Sequence, residues 1–170
     1  MDINGLDKIN NQIVNALLEN GRATASQIAK SVGISRTAVQ NRIAQLEESG
    51  VITKYSAIIN TEAMDQENRK VQALIEVKVA PQKLKGFDSY AEEIYSFKEV
   101  QSLYLMSGGF DLAIFVEGKN ITDIAMFVSE KLSIIDGIAS VQTHFILKKY
   151  KIEGHITKPS KESERQLIQA

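Results

Sequence analysis

The stretch "QIAKSVGISRTAVQNRIAQLEESG", residues 27 to 50, decides how the first sixty residues fold. Gln27 closes the run Thr24-Ala-Ser-Gln, a capping box in which the threonine hydroxyl and the glutamine side chain each satisfy an orphan amide at a helix start. The helix it opens is short and buries Ile28, Ala29 and Val32. Gly33 can take the positive φ that ends it, Ser35 stands as the next N-cap, and Ile34 and Val39 hold the two positions of a hydrophobic staple. A further helix therefore starts at Arg36. On it Val39, Ile43 and Leu46 share a buried face, while Thr37, Asn41 and Ala44 lie opposite, with Gln40, Ala38 and Gln45 beside them and Arg36 and Arg42 flanking the stripe.

Upstream, Leu6, Ile9, Ile13 and Leu17 recur at helical spacing, which predicts a first helix from about Asp7 to Asn20 with Asn20-Gly21 as a left-handed stop. Helix, capped short helix, glycine turn and third helix make a helix-turn-helix. Its last helix can enter the major groove, about 12 Å wide, and read base edges from its N-terminal residues. Charge placement fits that use. The chain has a formal net charge of only -1, yet no Asp or Glu falls between Gly21 and Leu46, where Arg22, Lys30, Arg36 and Arg42 all lie. A carboxylate on that face would meet phosphates at close range. The plainer reading is a tri-helical unit with a solvated basic face. After Glu47-Glu48-Ser49-Gly50 the run "VITKYSAIIN" is rich in β-formers and reads as a wing, from which Lys54 can reach a phosphate. The residues expected at double-stranded DNA are Arg22, Ser35, Arg36, Thr37, Gln40, Asn41, Arg42 and Lys54. Thr37 and Gln40 are expected on bases, Arg36 and Arg42 mainly on phosphates.

Residues 61 to 70, "TEAMDQENRK", are polar with little periodicity and mark a linker. "VQALIEVKV" then alternates strictly, so it is a strand with one buried face. "FDSYAEEIYSF" sets Phe87, Tyr90, Ala91 and Ile94 at helical spacing. "VQSLYLM" and "DLAIFVEG" read as two strands joined through Ser107-Gly108-Gly109-Phe110. Ile121, Ile124, Ala125, Val128, Leu132 and Ile135 line one face of a second helix, stopped by Gly137, and "VQTHFILKKY" returns to strand alternation. The order βαββαβ implies a ferredoxin-like domain, an antiparallel four-stranded sheet with two helices on one face. The fold class is thus α+β: a winged helix-turn-helix over 1–60, a linker over 61–70, a ferredoxin-like domain over 71–151, and a tail over 152–170 that is either frayed or a terminal helix. Leu74, Tyr104, Met106 and Ile146 are expected on the sheet face away from the helices. An apolar second face on a small domain predicts a homodimer, which suits a reader of paired half-sites.

Composition narrows the chemistry. The chain has no cysteine, which removes disulfides, thiol nucleophiles and thiolate metal sites. It has neither a run near the roughly 20 apolar residues of a membrane span nor the marks of a signal peptide, so no membrane partner and a cytoplasmic location are expected. Its two histidines, His144 in a strand without an evident partner and His155 in the polar tail, make no metal cluster or nucleophile-base pair. Gly108-Gly109 opens a strand rather than a helix, so it is a hairpin turn and not a phosphate loop. No catalytic residue, metal or cofactor is expected.

With these motifs in view, the chain resembles the Lrp/AsnC family of leucine-responsive or feast/famine transcription regulators over roughly residues 4 to 151. The resemblance rests on the run from Leu6 to Asn60, similar to the family's winged reader, and on "SGGFDLAIFVEG" and "VQTHFILKKYK", similar to its ligand-sensing domain. It implies a dimer formed through the sensing domains, often assembled further into tetramers or octamers, with an amino-acid effector bound between dimers at the glycine-rich hairpin. By position, Gly108, Phe110 and Asp111 match the family's glycine-x-aromatic-aspartate hairpin and Thr143 a threonine of the last strand. With Gly109 they form the expected effector site. Turn amides suit a carboxylate, and an aspartate suits an ammonium. Two positions depart from the family: Gly109, where acidic or polar residues are common, and Leu112, where an aromatic is common. The expected function is sequence-specific transcriptional regulation in response to an amino acid or related metabolite. The alternatives are an architectural DNA-bending protein without an effector and, more remotely, a ferredoxin-like enzyme with an accessory helical domain.

Overall fold

Helix α1 (Lys8–Glu19) starts because Asp7, in extended backbone, accepts the Asn10 amide on its carboxylate at 2.8 Å. It ends differently from expectation. Asn20 is extended, with φ -142, and neither it nor Gly21 is left-handed; instead the Asn20 side chain accepts the Arg22 amide at 3.0 Å, an Asx turn that reverses the chain without positive φ. Helix α2 (Ala25–Val32) carries the full capping box: Thr24 N–H donates to Gln27 Oε1 at 2.8 Å, and Gln27 N–H donates to Thr24 Oγ1 at 3.3 Å. Gly33, at φ 78, ends it, and Ser35 caps helix α3 (Arg36–Glu48) by accepting from Ala38 N–H. Ile13, Val14, Ile28, Ala29, Val39 and Leu46 form the core of the three helices. Thr24→Ala should cost about 1 kcal/mol in stability, since it removes one half of the box and strands the glutamine. Urea titration of wild type and variant measures it, and the helix content at zero denaturant should not change.

The computed structural model describes residues 5–65, 69–80 and 86–157. By contacts the chain divides into two units, Met1–Ile59 and Asn60–Ala170. In the first, the run that reads as the wing pairs with no strand of its own chain. Residues 53 to 60 carry no strand assignment, and all six strands among the described residues lie in the second unit. The run holds to the helices through Ile52 N–H on Leu46 C=O at 2.9 Å and the Tyr55 hydroxyl on Glu47 at 2.9 Å. Val, Ile and Tyr favour extended backbone, but a strand needs a neighbour to take its amides, and propensity cannot supply one.

The second unit is ferredoxin-like. Strand β1 (Val71–Val79), helix α4 (Phe87–Tyr95), strands β2 (Val100–Leu105) and β3 (Leu112–Gly118), helix α5 (Ile121–Phe127) and strand β4 (Ile138–Phe145) build one antiparallel sheet in the order β2-β3-β1-β4. Ala73, Ile75 and Val77 of central β1 are fully buried, flanked by Leu112, Ile114 and Val116 of β3, under Tyr90 and Ile94 of α4 and Ile124 and Phe127 of α5. Leu112 thus supplies core volume at the position where the resemblance suggests an aromatic.

Helix faces depart from strict 3.6 periodicity. After Phe127 the backbone makes a π turn, Val128–Leu132, in which Ser133 N–H reaches back five residues to Val128 C=O at 2.8 Å. Before that turn, in α5 itself, Phe127 is buried and stacks edge-on against Phe97 at 5.7 Å, while Ile121 and Ala125, expected inside, are exposed. Phe87, also expected inside, is exposed at the first position of α4.

The other sheet face is mixed rather than apolar. Leu74, Phe115, Ala113 and Tyr104 share it with Glu76, Lys78, Gln142 and His144, as the register pairs show. Tyr104 meets Phe115 edge-on at 6.1 Å, and His144 does have a partner, Glu76, at 3.3 Å. Met106 and Ile146 follow the ends of β2 and β4. The domain runs past residue 151. Strands β5 (Lys151–Ile152) and β6 (His155–Ile156) form a small hairpin through Glu153 and Gly154, both at positive φ, so His155 lies in a strand and not in a tail. Buried Thr157 anchors the hairpin, its amide on Tyr150 C=O at 3.0 Å and its hydroxyl on Lys149 C=O. The expected tail from 158 onward lies outside the described residues.

Candidate functional site

Helix α3 buries Val39 and Leu46 and leaves Thr37, Gln40, Asn41, Ala44 and Gln45 exposed on the far side. None of these is acidic, and Arg36 is exposed at the helix's first position. Ser35 spends its oxygen lone pair on the cap, which leaves its O–H as a donor. The Arg22 side chain is exposed in the turn after α1, its amide held by Asn20. Lys54 is exposed too, on the run that follows α3. A short, polar, acid-free helix face with cations on its borders can lie against phosphates and present an amide and a hydroxyl to base edges.

Arg42 is the exception. Its Nη1 donates to Asp7 Oδ2 at 2.7 Å and to Asn10 Oδ1 at 2.9 Å, so the guanidinium is turned back onto the start of α1. The reason is positional: Arg42 follows Val39 by three residues and precedes Leu46 by four, which sets it on the border of the buried face, not of the outer stripe. That spacing was the available signal; Asp7 and Asn10, thirty-odd residues upstream, gave none. The Asn10 amide and then the Arg42 guanidinium hold the Asp7 carboxyl below its ordinary pKa. A lowered folded pKa means the contact is complete above the unfolded carboxylate value and is lost as pH falls through the folded one. Because its guanidinium is held on α1, Arg42→Ala should leave the salt dependence of DNA binding nearly unchanged, whereas the double variant Asp7→Asn/Asn10→Ala, which weakens both contacts that hold the guanidinium, should steepen the slope of log K against log salt by up to about one unit. Fluorescence anisotropy across a salt series measures both, and a flattened slope for Arg42→Ala would restore it as a phosphate contact.

In the second unit the β2–β3 connection is the tight turn expected. Gly108 sits at φ 153, a conformation that L side chains rarely adopt, and Gly108 and Gly109 are both exposed while Phe110 is half-buried. Asp111 lies just before β3, not within it. Its carbonyl accepts from Met106 N–H at 2.8 Å and its amide donates to Val77 C=O at 2.9 Å. Its carboxylate takes the Val79 amide at 2.8 Å, where the β1–β4 register shifts between Lys78 and Val79. One carboxylate oxygen is thus committed to β1 rather than to the turn amides, because Val79 N–H faces the β3 side, as Val77 C=O does, and the β1–β3 ladder ends at the pair Val77 and Leu112. Thr143 stands opposite Ile75 on β4, and β1 separates β4 from β3. The structure therefore keeps Gly108, Gly109, Phe110 and Asp111 together and holds Thr143 two strands away.

Sequence reading missed a third cluster. Lys70 Nζ and the Gln72 amide bind opposite oxygens of Glu117 at 2.6 and 2.8 Å. Burial pushes the Glu117 carboxyl up, but these two donors outweigh it and hold it below the usual carboxylate range. Among the described residues no group of three His, Asp or Glu is placed to hold a metal ion, and no helix is long and apolar enough to cross a membrane.

Comparison with known proteins places both units. The profile of the Lrp/AsnC ligand binding domain matches residues 72–156, and that of a winged helix-turn-helix DNA-binding domain matches residues 6–53. The uncharacterized HTH-type transcriptional regulator YugG of Bacillus subtilis is 44% identical over 157 residues, 92% of this chain and 94% of that protein. The proline dehydrogenase transcriptional activator of Rhizobium radiobacter is 27% identical, over 88% of this chain and 94% of that protein. Among solved structures, a transcriptional regulator of Neisseria meningitidis in complex with L-Met superposes with a TM-score of 0.67 at 27% identity, covering 93% of this chain and 99% of that one. The leucine response regulatory protein of Mycobacterium tuberculosis does so with a TM-score of 0.72 at 25% identity, covering 90% and 100%.

Proposed function

This chain belongs to the Lrp/AsnC family of transcriptional regulators, and we propose that it couples an amino acid bound at the β2–β3 hairpin to the reading of double-stranded DNA by α3. It is a DNA-binding regulator with a ligand-binding domain, the organisation of a switch and not of an enzyme. The observation that carries the reading is the exposed, acid-free outer face of α3. Thr37, Gln40 and Asn41 read bases there; Arg36, Arg22, Ser35 and Lys54 hold the backbone, and Arg42 orients the helix from behind.

For the effector, the exposed Gly108-Gly109 turn offers backbone amides to a carboxylate, and the second oxygen of Asp111 offers an acceptor to an ammonium. The L-Met complex of the Neisseria relative supports the amino-acid class. Thr143 lies too far across the sheet to close the same wall, so it reaches an effector only through another copy of the chain. A homodimer, assembling further to a tetramer or octamer, is therefore part of the proposal. The aromatic and aliphatic half of the open sheet face, Leu74, Phe115 and Tyr104, supports it. The site of action is the cytoplasm, where the DNA is.

The test is a titration of the full-length protein onto its own upstream DNA, repeated with each amino acid in turn, with sedimentation velocity alongside. At least one amino acid should shift the binding midpoint or the assembly state. Periodic protection along long DNA that no amino acid alters would replace this reading with that of an architectural DNA-bending protein.

A further inference from the structure

Two adjacent glycines sit in the β2–β3 turn, and the fold needs only one of them. Gly108, at φ 153, occupies backbone space that other residues rarely enter. Gly109 does not: its φ is negative, and among the described residues no atom lies within 4 Å of where its Cβ would stand. Gly118, at the far end of β3, shows what a packing demand looks like. A Cβ there would meet Asp123 Cβ and Ile124 Cγ1 at 3.1 Å, so strand and helix close on bare backbone. Neither demand applies at 109. A glycine that the backbone does not require still carries an unfolded-state entropy that an alanine would reduce. What Gly109 leaves is room beside the turn amides.

The last rungs below the turn give that room an apolar border. Leu105 pairs with Leu112, and Met106 N–H donates to Asp111 C=O at 2.8 Å, which sets both residues directly beneath the turn. Leu105 is 62% exposed and Met106 43%. Consecutive residues of a strand point to opposite faces, so apolar surface lies on both sides of the hairpin tip. A carboxylate oxygen held about 2.9 Å from the Gly109 amide would bring the rest of its molecule within van der Waals reach of any Cβ that residue 109 carried. With the ammonium at Asp111 fixing the other end, the side chain of a bound amino acid starts over the turn.

We propose that Gly109 is a specificity-determining residue of the effector site: its missing side chain makes the space that a large apolar side chain of the effector fills. This rests on the hairpin as the amino-acid site and names the ligand class. Selection is by buried area, since an aliphatic or thioether chain over the turn covers Leu105 and Met106. Alanine leaves the room empty. Glutamine, close to methionine in length, sets its amide against the same carbons and loses hydration there. A side chain at 109 competes with the effector's own for one volume.

Equilibrium dialysis of the full-length protein against labelled leucine, methionine, glutamine and alanine tests this, with wild type, Gly109→Ala, Gly109→Leu and Asp111→Asn. Wild type should hold leucine and methionine about tenfold or more tighter than alanine, and methionine about tenfold tighter than glutamine. The ratio of leucine to alanine affinity should fall through Gly109→Ala to near unity in Gly109→Leu, with leucine losing more than alanine at each step. Gly109→Ala should keep or raise the melting midpoint, because the backbone there accepts a Cβ. A lowered midpoint for Gly109→Ala, or equal losses of leucine and alanine in both variants, makes this glycine a need of the turn and overturns the proposal. So does glutamine binding as tightly as methionine, or a leucine preference that survives in Gly109→Leu. Alanine binding that Asp111→Asn weakens, with no preference for leucine, overturns the role of Gly109 and leaves the hairpin as the amino-acid site. A Gly109-dependent preference that Asp111→Asn leaves untouched supports the proposal and removes the carboxylate from the site. No saturable binding of any of the four overturns both.

Discussion

Gln40→Ala should weaken binding to the preferred DNA site by about 1–3 kcal/mol and leave affinity for random DNA almost untouched. The side chain sits one turn into α3, exposed, beside the stripe of Thr37, Asn41 and Ala44 that lies opposite Val39 and Leu46. A glutamine there can place its carbonyl and NH₂ against the N6 and N7 edge of an adenine, a pair that no other base presents in the same order. Removing it takes away readout at one position while Arg22, Arg36 and Lys54 keep their charge, so the counterion release that drives non-specific binding is unchanged. Arg36→Ala should do the reverse, lowering affinity on every sequence alike and flattening the salt slope by about one unit. Competition anisotropy with the operator, single-base variants of it and random DNA separates the two. An equal loss on operator and random DNA for Gln40→Ala would mean that α3 presents a different face to the groove.

How far each feature was legible depended on how local its cause is. The capping box at Thr24, the left-handed Gly33 and the Ser35 cap are settled within four residues of chain, and the sequence pattern matches them position by position. The βαββαβ order was equally readable, since strict alternation in β1 leaves one burial pattern open. Features with distant causes were not. Arg42 turns to Asp7, and Asp111 turns to Val79, because tertiary contacts bring an orphan donor and an acceptor together across more than thirty residues. The burial of Phe127 is of the same kind, since it rests on an edge-on contact with Phe97, a residue of another element. The run 53–60 has the composition of a strand but pairs with no strand of its own chain, so composition alone did not place it.

Asp111 carries the second large expectation, because its carboxylate has a structural duty that a sensing role must share. Asp111→Ala leaves Val79 N–H past the end of the β1–β3 ladder with no acceptor, which should cost about 1–3 kcal/mol of stability, the desolvation of a half-buried donor whose partner was charged. Asp111→Asn keeps a carbonyl oxygen at the same place, so Val79 keeps a hydrogen bond, though a neutral one, and the loss should stay within about 1 kcal/mol. The two variants then separate the roles. An ammonium pairs far more strongly with a carboxylate than with a neutral amide oxygen; if the second oxygen of Asp111 holds the effector, Asp111→Asn should fold, bind DNA without ligand as wild type does, and lose most of the amino-acid response. Coupling between sites is a difference in ligand affinity for two states, so a variant that no longer binds the effector cannot transmit it. Chemical denaturation gives the stability series, and DNA binding with and without the responding amino acid gives the coupling. An Asp111→Asn protein that keeps the full response assigns the carboxylate to the Val79 amide alone, and moves recognition of the ammonium to the carbonyl groups of the turn.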